Sequence, residues 1–82
     1  MTRAKHGNPR ISFGQAVRKL RLQKEMSQEK LAEIAGIHRT YVGDVERGTR
    51  NIALVNMTKI AAALGVSLSQ LVLEMERLLP QL

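Results

Sequence analysis

The sequence predicts an all-α domain built from five short helices. Apolar residues recur at three- and four-residue spacing along most of the chain, which is the period of a helix that buries one face. No run of residues alternates apolar and polar side chains in the way that a half-buried strand does. Glycines directly follow three of the periodic segments, at Gly36, Gly48 and Gly65, where each can end a helix by adopting a left-handed backbone.

The chain is long enough for only one domain, since it has 82 residues. It contains no cysteine, which excludes disulfides and zinc–thiolate sites. Its only aromatic residues are Phe13 and Tyr41, too few to stack the bases of single-stranded nucleic acid. No apolar run approaches the roughly 20 residues of a bilayer span, and no apolar stretch follows the basic N-terminus as in a secretory signal. We therefore expect a cytoplasmic protein without a membrane-spanning segment.

The N-terminal segment differs in pattern from the first helix. Residues 1–10 contain Gly, Asn, Pro and scattered bases, which predicts a flexible basic arm, and residues 11–82 form the single domain. The first helix is predicted over residues 11–24, because arginines and lysines cover its other faces while one face is apolar. The apolar positions of this helix are Phe13, Ala16, Val17 and Leu20.

The second and third helices form a compact pair. Ser27 is a good N-cap for the second helix, which has an acidic residue in its first turn and ends at Gly36. Only Ile37 and His38 then separate it from a third helix, predicted over residues 39–47. Two short helices joined by so tight a turn must cross steeply, which makes a helix-turn-helix unit. The third helix places Val42 and Val45 inward, and its predicted solvent side consists of Arg39, Thr40, Gly43 and Asp44.

The remaining chain predicts two further helices. The fourth begins at Ala53 or Leu54 without the usual Ser or Thr cap and ends at residue 64. Ser67 caps the fifth, which ends before Pro80. The fifth helix is unusually apolar, and it can serve either as core alone or as core and the seam of a dimer. Its apolar residues are Leu68, Leu71, Val72, Met75, Leu78 and Leu79.

The net charge of +6 is unevenly distributed. Residues 1–50 carry 11 Lys and Arg against 5 Asp and Glu, whereas residues 51–82 carry two of each sign. The basic half suits a polyanion, and at this level nucleic acid and an anionic membrane are equally acceptable. The neutral half is better suited to contact with an apolar surface.

Several short segments together carry a family resemblance. They are Ser-Gln-Glu-Lys-Leu-Ala at 27–32, Ala-Gly-Ile at 35–37, Tyr-Val-Gly-Asp-Val-Glu-Arg-Gly at 41–48, Lys-Ile-Ala at 59–61 and Ala-Leu-Gly-Val-Ser at 63–67. With these segments, residues 12–72 resemble the lambda and 434 repressor and Cro helix-turn-helix family, the XRE family. Within it, residues 38–41 and 46–51 are most similar to the controller proteins of restriction–modification systems, which are small dimeric transcription factors.

The resemblance implies a lambda-repressor-like domain that binds double-stranded DNA and has no membrane partner. It implies a sequence-specific, homodimeric transcriptional regulator at a palindromic operator, in the cytoplasm and nucleoid of a prokaryote or from a phage, with RNA polymerase as a candidate further partner. Residues 66–82 would contribute the dimer interface, through Leu68, Leu71, Val72, Met75 and Leu79, and Arg21 and Glu46 would form a buried structural ion pair. The implied DNA-binding residues are Gln28, His38, Arg39, Thr40, Tyr41, Gly43, Asp44, Arg47, Arg50 and Asn51.

The chemistry of these residue types supports such a role. Gln28 opens a helix whose N-terminus attracts phosphate, and Arg39 could bridge O6 and N7 of guanine. Tyr41 either bonds a phosphate or packs as an outlying part of the core. Asp44 either accepts from cytosine N4, excludes wrong sequences, or pairs with Arg47 one turn later. Gly43 either permits close approach to DNA or is a tolerated defect in the helix.

Catalytic chemistry is not expected. His6 and His38 are the only histidines and lie far apart, and no nucleophile, phosphate-loop or dinucleotide motif is present. We expect no enzyme activity, no metal and no cofactor. Two alternatives to a controller protein stay open within DNA binding, a phage-type repressor and an autorepressing antitoxin. A helical adaptor whose basic face meets an acidic protein is the alternative from another class.

Overall fold

The computed structural model describes residues 7–79, and within that range the predicted all-α, five-helix fold is confirmed. No strand occurs among these residues. The helices are α1 (Pro9–Gln23), α2 (Gln28–Ala35), α3 (Arg39–Arg47), α4 (Leu54–Leu64) and α5 (Leu68–Leu78).

The first helix begins two residues earlier than predicted. The side chain of Asn8 accepts a hydrogen bond from the backbone N–H of Arg10 at 3.0 Å, which makes Asn8 the N-cap. Pro9 fits the first helical position because the N–H that it lacks would have had no helical partner there. The prediction that the arm extends to residue 10 is therefore wrong, while residues 1–6 lie outside the described residues.

The helix-turn-helix is delimited by the caps that the sequence predicts. Ser27 Oγ accepts from the backbone N–H of Lys30 at 2.9 Å, so it caps α2. Gly36 and Gly48 end α2 and α3 with φ of 72° and 76°, values that few non-glycine residues adopt. The turn between the two helices therefore needs only Gly36, Ile37 and His38.

The core lies where α1 and α4 meet the helix-turn-helix and α5. α1 packs against both α3 and α5, and α2 packs against α3 and α4. The predicted inward positions Val42 and Val45 are confirmed as buried. The other fully buried large side chains come from all the remaining helices and are Val17, Leu31, Ile60, Leu64 and Leu71.

A glycine allows α1 to cross very close to the end of α3. A Cβ atom on Gly14 would lie 2.8 Å from the carbonyl oxygen of Glu46 and closer still to that of Val45. No side chain can be accommodated against this backbone without a shift, so Gly14 sets the distance between α1 and α3. Gly14 was not among the residues predicted to matter for the fold.

The fifth helix divides its apolar residues between the core and the surface. Leu71 is fully buried within the single chain, so its assignment to a dimer interface is wrong. Leu68, Val72, Met75 and Leu79 are only partly buried along one flank of the helix and its C-terminal end, with Met75 packed against the core.

Within residues 7–79, no single helix is long and apolar enough to cross a membrane. α4 and α5 have the length and apolar composition of a membrane span only when they are taken together, and the two helices are bent by 98° relative to one another.

Candidate nucleic-acid interface

The first turn of α3 and the start of α2 form one shallow concave surface. His38 is the N-cap of α3, although its side chain makes no capping hydrogen bond, and Arg39 and Thr40 follow it with exposed side chains. The residues that line the surface are Gln28, His38, Arg39, Thr40, Gly43 and Arg47, all of them predicted DNA-binding positions.

A buried ion pair fixes the other end of α3. Arg21 Nε donates to Glu46 Oε2 at 2.7 Å and Arg21 Nη2 to Glu46 Oε1 at 2.9 Å, so the predicted pair is present and is bidentate. Only 9% of the Arg21 side chain and 3% of the Glu46 side chain are exposed. The hydrogen bond to Glu46 raises the pKa of Arg21 above its already high value, because it stabilises the charged form.

Gln28 extends this pair into a link between three helices. Its Nε2 donates to Glu46 Oε1 at 3.0 Å, while Arg21 Nη1 donates to the carbonyl oxygen of Met26 at 2.8 Å. Glu46 therefore connects α3 to α1 and to the first residue of α2. The amide of Gln28 has this structural role in addition to any contact with phosphate.

Gly43 lies at the base of the concave surface, beneath neighbouring side chains. It is buried, and a Cβ atom there would lie 3.3 Å from Arg47 Nη1 and 3.7 Å from Gln28 Oε1. Gly43 therefore lies on the side of α3 that the sequence predicts, but side chains cover it, so it is not open to solvent as predicted. The sequence could not show this, because the start of α2 and the guanidinium of Arg47 cover this position only in the folded chain.

Asp44 is held by two arginines. Its Oδ1 accepts from Arg47 Nη2 and its Oδ2 accepts from Arg50 Nη2 at 2.9 Å. Of the alternatives open for Asp44, pairing with Arg47 is the one that the structure contains, and Arg50 was not anticipated as a second partner. The hydrogen bond from Arg50, followed by that from Arg47, lowers the pKa of the Asp44 carboxyl below its usual range.

Tyr41 supports the same group of charges. It is half-buried and packs against the core, which corresponds to the second of its two predicted roles. The guanidinium of Arg50 lies over its ring at 4.7 Å from the centroid, within the range of a cation–π interaction. Its predicted contact with phosphate stays a prediction. Asn51 follows Arg50 in the loop before α4 and is exposed.

Comparison with known proteins identifies the family. A family model described as helix-turn-helix matches residues 17–71, which include all of α2, α3 and α4. The chain is 60% identical over 60 residues to the control protein C.BamHI of Bacillus amyloliquefaciens, covering 72% of this chain and 74% of that protein. It belongs to the helix-turn-helix family of restriction–modification controller proteins.

Two further members of the controller family extend the similarity. The control protein C.MunI of a Mycoplasma species is 44% identical over 69 residues, covering 83% of this chain and 93% of that protein. The crystal structure of the restriction–modification controller protein C.AhdI from Aeromonas hydrophila superposes with a TM-score of 0.74 at 50% identity. That match covers 76% of this chain and 94% of the other. The resemblance predicted from the short segments is thereby confirmed.

The potential metal ligands of the described residues are scattered. Across residues 7–79, no three His, Asp or Glu side chains lie together as a metal site would require. His38, the one histidine in that range, belongs to the concave surface at the start of α3.

Proposed function

We propose that this member of the controller family is a homodimeric, sequence-specific transcriptional regulator that binds a palindromic operator in double-stranded DNA. The observation that carries the proposal is the exposed first turn of α3, which lies beside the N-terminus of α2 in the basic half of the chain. A helix presented in this way can enter the major groove while its neighbour meets the backbone.

Arg39 and Thr40 are proposed to read bases. Within residues 7–79 the Arg39 guanidinium has no ion-pair partner, so its forked donors are available for O6 and N7 of guanine. The hydroxyl and methyl groups of Thr40 suit thymine, and His38 lies at the same edge.

A second set of residues is proposed to bind phosphates. The set contains Arg47 and Arg50, which both form ion pairs with Asp44, and Asn51, which lies next to Arg50 in the loop. Gln28 adds the N-terminus of α2, where free N–H groups and the helix dipole attract an anion. Such contacts orient the protein on the duplex and provide affinity for any sequence.

A second copy of the chain is proposed to cover the partly buried flank and C-terminal end of α5. This surface lies in the half of the chain without net charge, and its residues are Leu68, Val72, Met75 and Leu79. Two recognition helices placed by such a dimer would contact half-sites about one turn of DNA apart. RNA polymerase is the further partner that a regulator bound at a promoter would meet.

Binding to a promoter library at several salt concentrations tests the base-reading role. Arg39→Ala should reduce discrimination at one base pair in each half-site by ~1–3 kcal/mol. Arg18→Ala removes the same charge from an exposed position of α1 and should leave the base preference unchanged. Wild-type protein without preference over competitor DNA would favour a protein-binding adaptor and refute the proposal.

The phosphate-binding role is tested with the same library. Arg50→Ala should weaken binding to every sequence, the operator more than a random duplex, and make the logarithm of affinity less dependent on salt, by about one unit of slope per lost contact. Equal effects of Arg39→Ala and Arg50→Ala on every sequence would contradict the division of roles between these arginines.

Sedimentation tests the dimer. Val72→Glu places a charge in the proposed seam without touching the buried core and should yield monomers. Leu73→Glu, at a position with 47% exposure outside the seam, should leave the dimer intact. Monomers from Leu73→Glu alone would place the interface on a different face of α5.

A further inference from the structure

Asp44 occupies an unusual position for an acidic residue in a surface that is proposed to meet a polyanion. It lies in the middle of α3, and 22% of its side chain is exposed. Its carboxylate is shared between Arg47 on the same helix and Arg50 in the following loop. A carboxylate at this position repels DNA phosphates, so we expect it to have a function that offsets this unfavourable interaction.

The contacts of Asp44 restrain both arginines without using up their donors. Each guanidinium has five N–H donors, and each gives one to Asp44, so most of them stay available to a phosphate. Arg50 is restrained a second time by the ring of Tyr41, and the guanidinium of Arg47 occupies the space beside Gly43 that a Cβ atom would enter.

Asp44 also fixes the loop that carries Arg50. Its backbone carbonyl oxygen accepts from the N–H of Thr49 at 3.0 Å and from Thr49 Oγ1 at 3.2 Å. Backbone and side chain of one residue therefore connect the end of α3 to the start of the loop. Arg39, in contrast, has no ion-pair partner within residues 7–79.

We propose that Asp44 is a positioning and specificity-determining residue, which orders Arg47 and Arg50 before DNA arrives and weakens binding to DNA of the wrong sequence. This inference rests on the proposed function. The ordering reduces the conformational entropy that the two long side chains lose when they bind the operator backbone. The negative charge of Asp44 weakens binding to every sequence. At the operator, base contacts of α3 hold the duplex in one register, so both ordered arginines reach phosphates together, whereas on a random duplex no register is fixed.

Asp44→Asn separates these effects because it keeps the shape of the side chain and removes its charge. Affinity for a random duplex should rise severalfold, since each subunit gains one positive charge. The ratio of operator to random-duplex affinity should fall on the order of tenfold, because the arginines are no longer ordered in advance. Glu33→Gln is the matched control, since it removes one charge from α2, where the Glu33 side chain is 72% exposed and, among residues 7–79, forms an ion pair only with Lys30. It should leave the ratio unchanged.

A double variant shows whether Asp44 acts through Arg50. In an Arg50→Gln background, Asp44→Asn should reduce the operator-to-random ratio by a smaller factor than in the wild type. An equal reduction in both backgrounds would overturn the assignment of Asp44 as a positioning residue for Arg50. A ratio unchanged by Asp44→Asn, or operator affinity that rises as much as random-duplex affinity, would overturn the whole proposal.

A measurement on the unmodified protein covers the case in which Asp44→Asn does not fold. ¹⁵N relaxation of the arginine Nε groups in DNA-free protein should show Arg47 and Arg50 ordered and Arg39 mobile on the ps–ns timescale. Equal mobility of the three side chains would refute the ordering. The relaxation measurement does not depend on DNA binding, so it tests the ordering of the arginines by itself. Failure of the proposed function would show instead as wild-type protein that does not prefer the operator.

Discussion

Substitution of Gly14 by alanine should separate α1 from α3 and destabilise the fold. The new Cβ atom would lie 2.8 Å from the carbonyl oxygen of Glu46, whereas ordinary contacts of this kind begin at 3.4 Å, so the helices must move apart by about 0.6 Å or more. The obstructing atoms belong to backbone, which cannot rotate away as a side chain can. Overpacking of this kind costs ~1–3 kcal/mol and occasionally more.

Part of this cost is offset, because alanine favours a helix over glycine by about 1 kcal/mol. Because the Cβ atom would lie closer still to the carbonyl oxygen of Val45, the upper part of the overpacking range applies. A net loss of roughly 1–2 kcal/mol should therefore lower the midpoint of thermal unfolding by about 5–15 °C in a domain of this size. Gln15→Ala at the adjacent exposed position should change stability by no more than about 0.5 kcal/mol. Operator affinity of Gly14→Ala should fall as well, since α3 carries the proposed base-reading residues. A variant as stable as the wild type would show that the close crossing does not exist in solution.

Two further predictions concern the ion pairs. Glu46→Gln leaves Arg21 buried without its counter-charge, so the free energy of unfolding, measured in urea, should drop by about 3–5 kcal/mol. A loss no larger than that of the exposed-site variant Gln15→Ala would contradict the importance of the pair. Lys19 Nζ donates to Glu74 Oε2 at 2.6 Å and thereby lowers the pKa of Glu74 below its ordinary value of 4.5. Because the pKa of Glu74 is lower in the folded state than in the unfolded state, the wild type should exceed Glu74→Gln in stability by a full margin above about pH 5 and lose that margin as the pH falls through the lowered pKa. Thermal unfolding of both proteins at a series of pH values measures the margin. A margin that does not change with pH would contradict the prediction.

The helices could be predicted because their ends are marked in the sequence. Ser27 begins a helix and Gly36 and Gly48 end one through local chemistry, so these boundaries are independent of tertiary structure. The start of α1 was missed although Asn8 and Pro9 are also helix-start signals, since both residues lie in a segment that otherwise has the composition of a loop.

The site could be predicted only in part, because helical periodicity gives faces and not neighbours. It separates Val42 and Val45 from the outer side of α3 correctly, but it cannot show that α2 and Arg47 cover Gly43. The same limit explains Leu71, which belongs to an apolar stripe wider than the buried part of α5. A glycine within a helix is a warning of close approach, so both Gly14 and Gly43 carried a signal in the sequence, although neither showed what lies against it.

The two ends of α3 have opposite requirements, and the structure meets them with different chemistry. At the C-terminal end, Glu46 is bound by Arg21 and by Gln28, so the direction of α3 is fixed by buried, bidentate contacts to α1 and α2. At the N-terminal end, His38 makes no capping bond and Arg39 has no ion-pair partner within residues 7–79. This arrangement suits the base-reading role proposed for α3, since the orientation of the helix costs nothing at the moment of binding while the proposed reading groups keep their donors free. It follows that loss of the Glu46 contacts and loss of the Arg39 donors should impair DNA recognition for different reasons, the first through the position of the helix and the second through the contact itself.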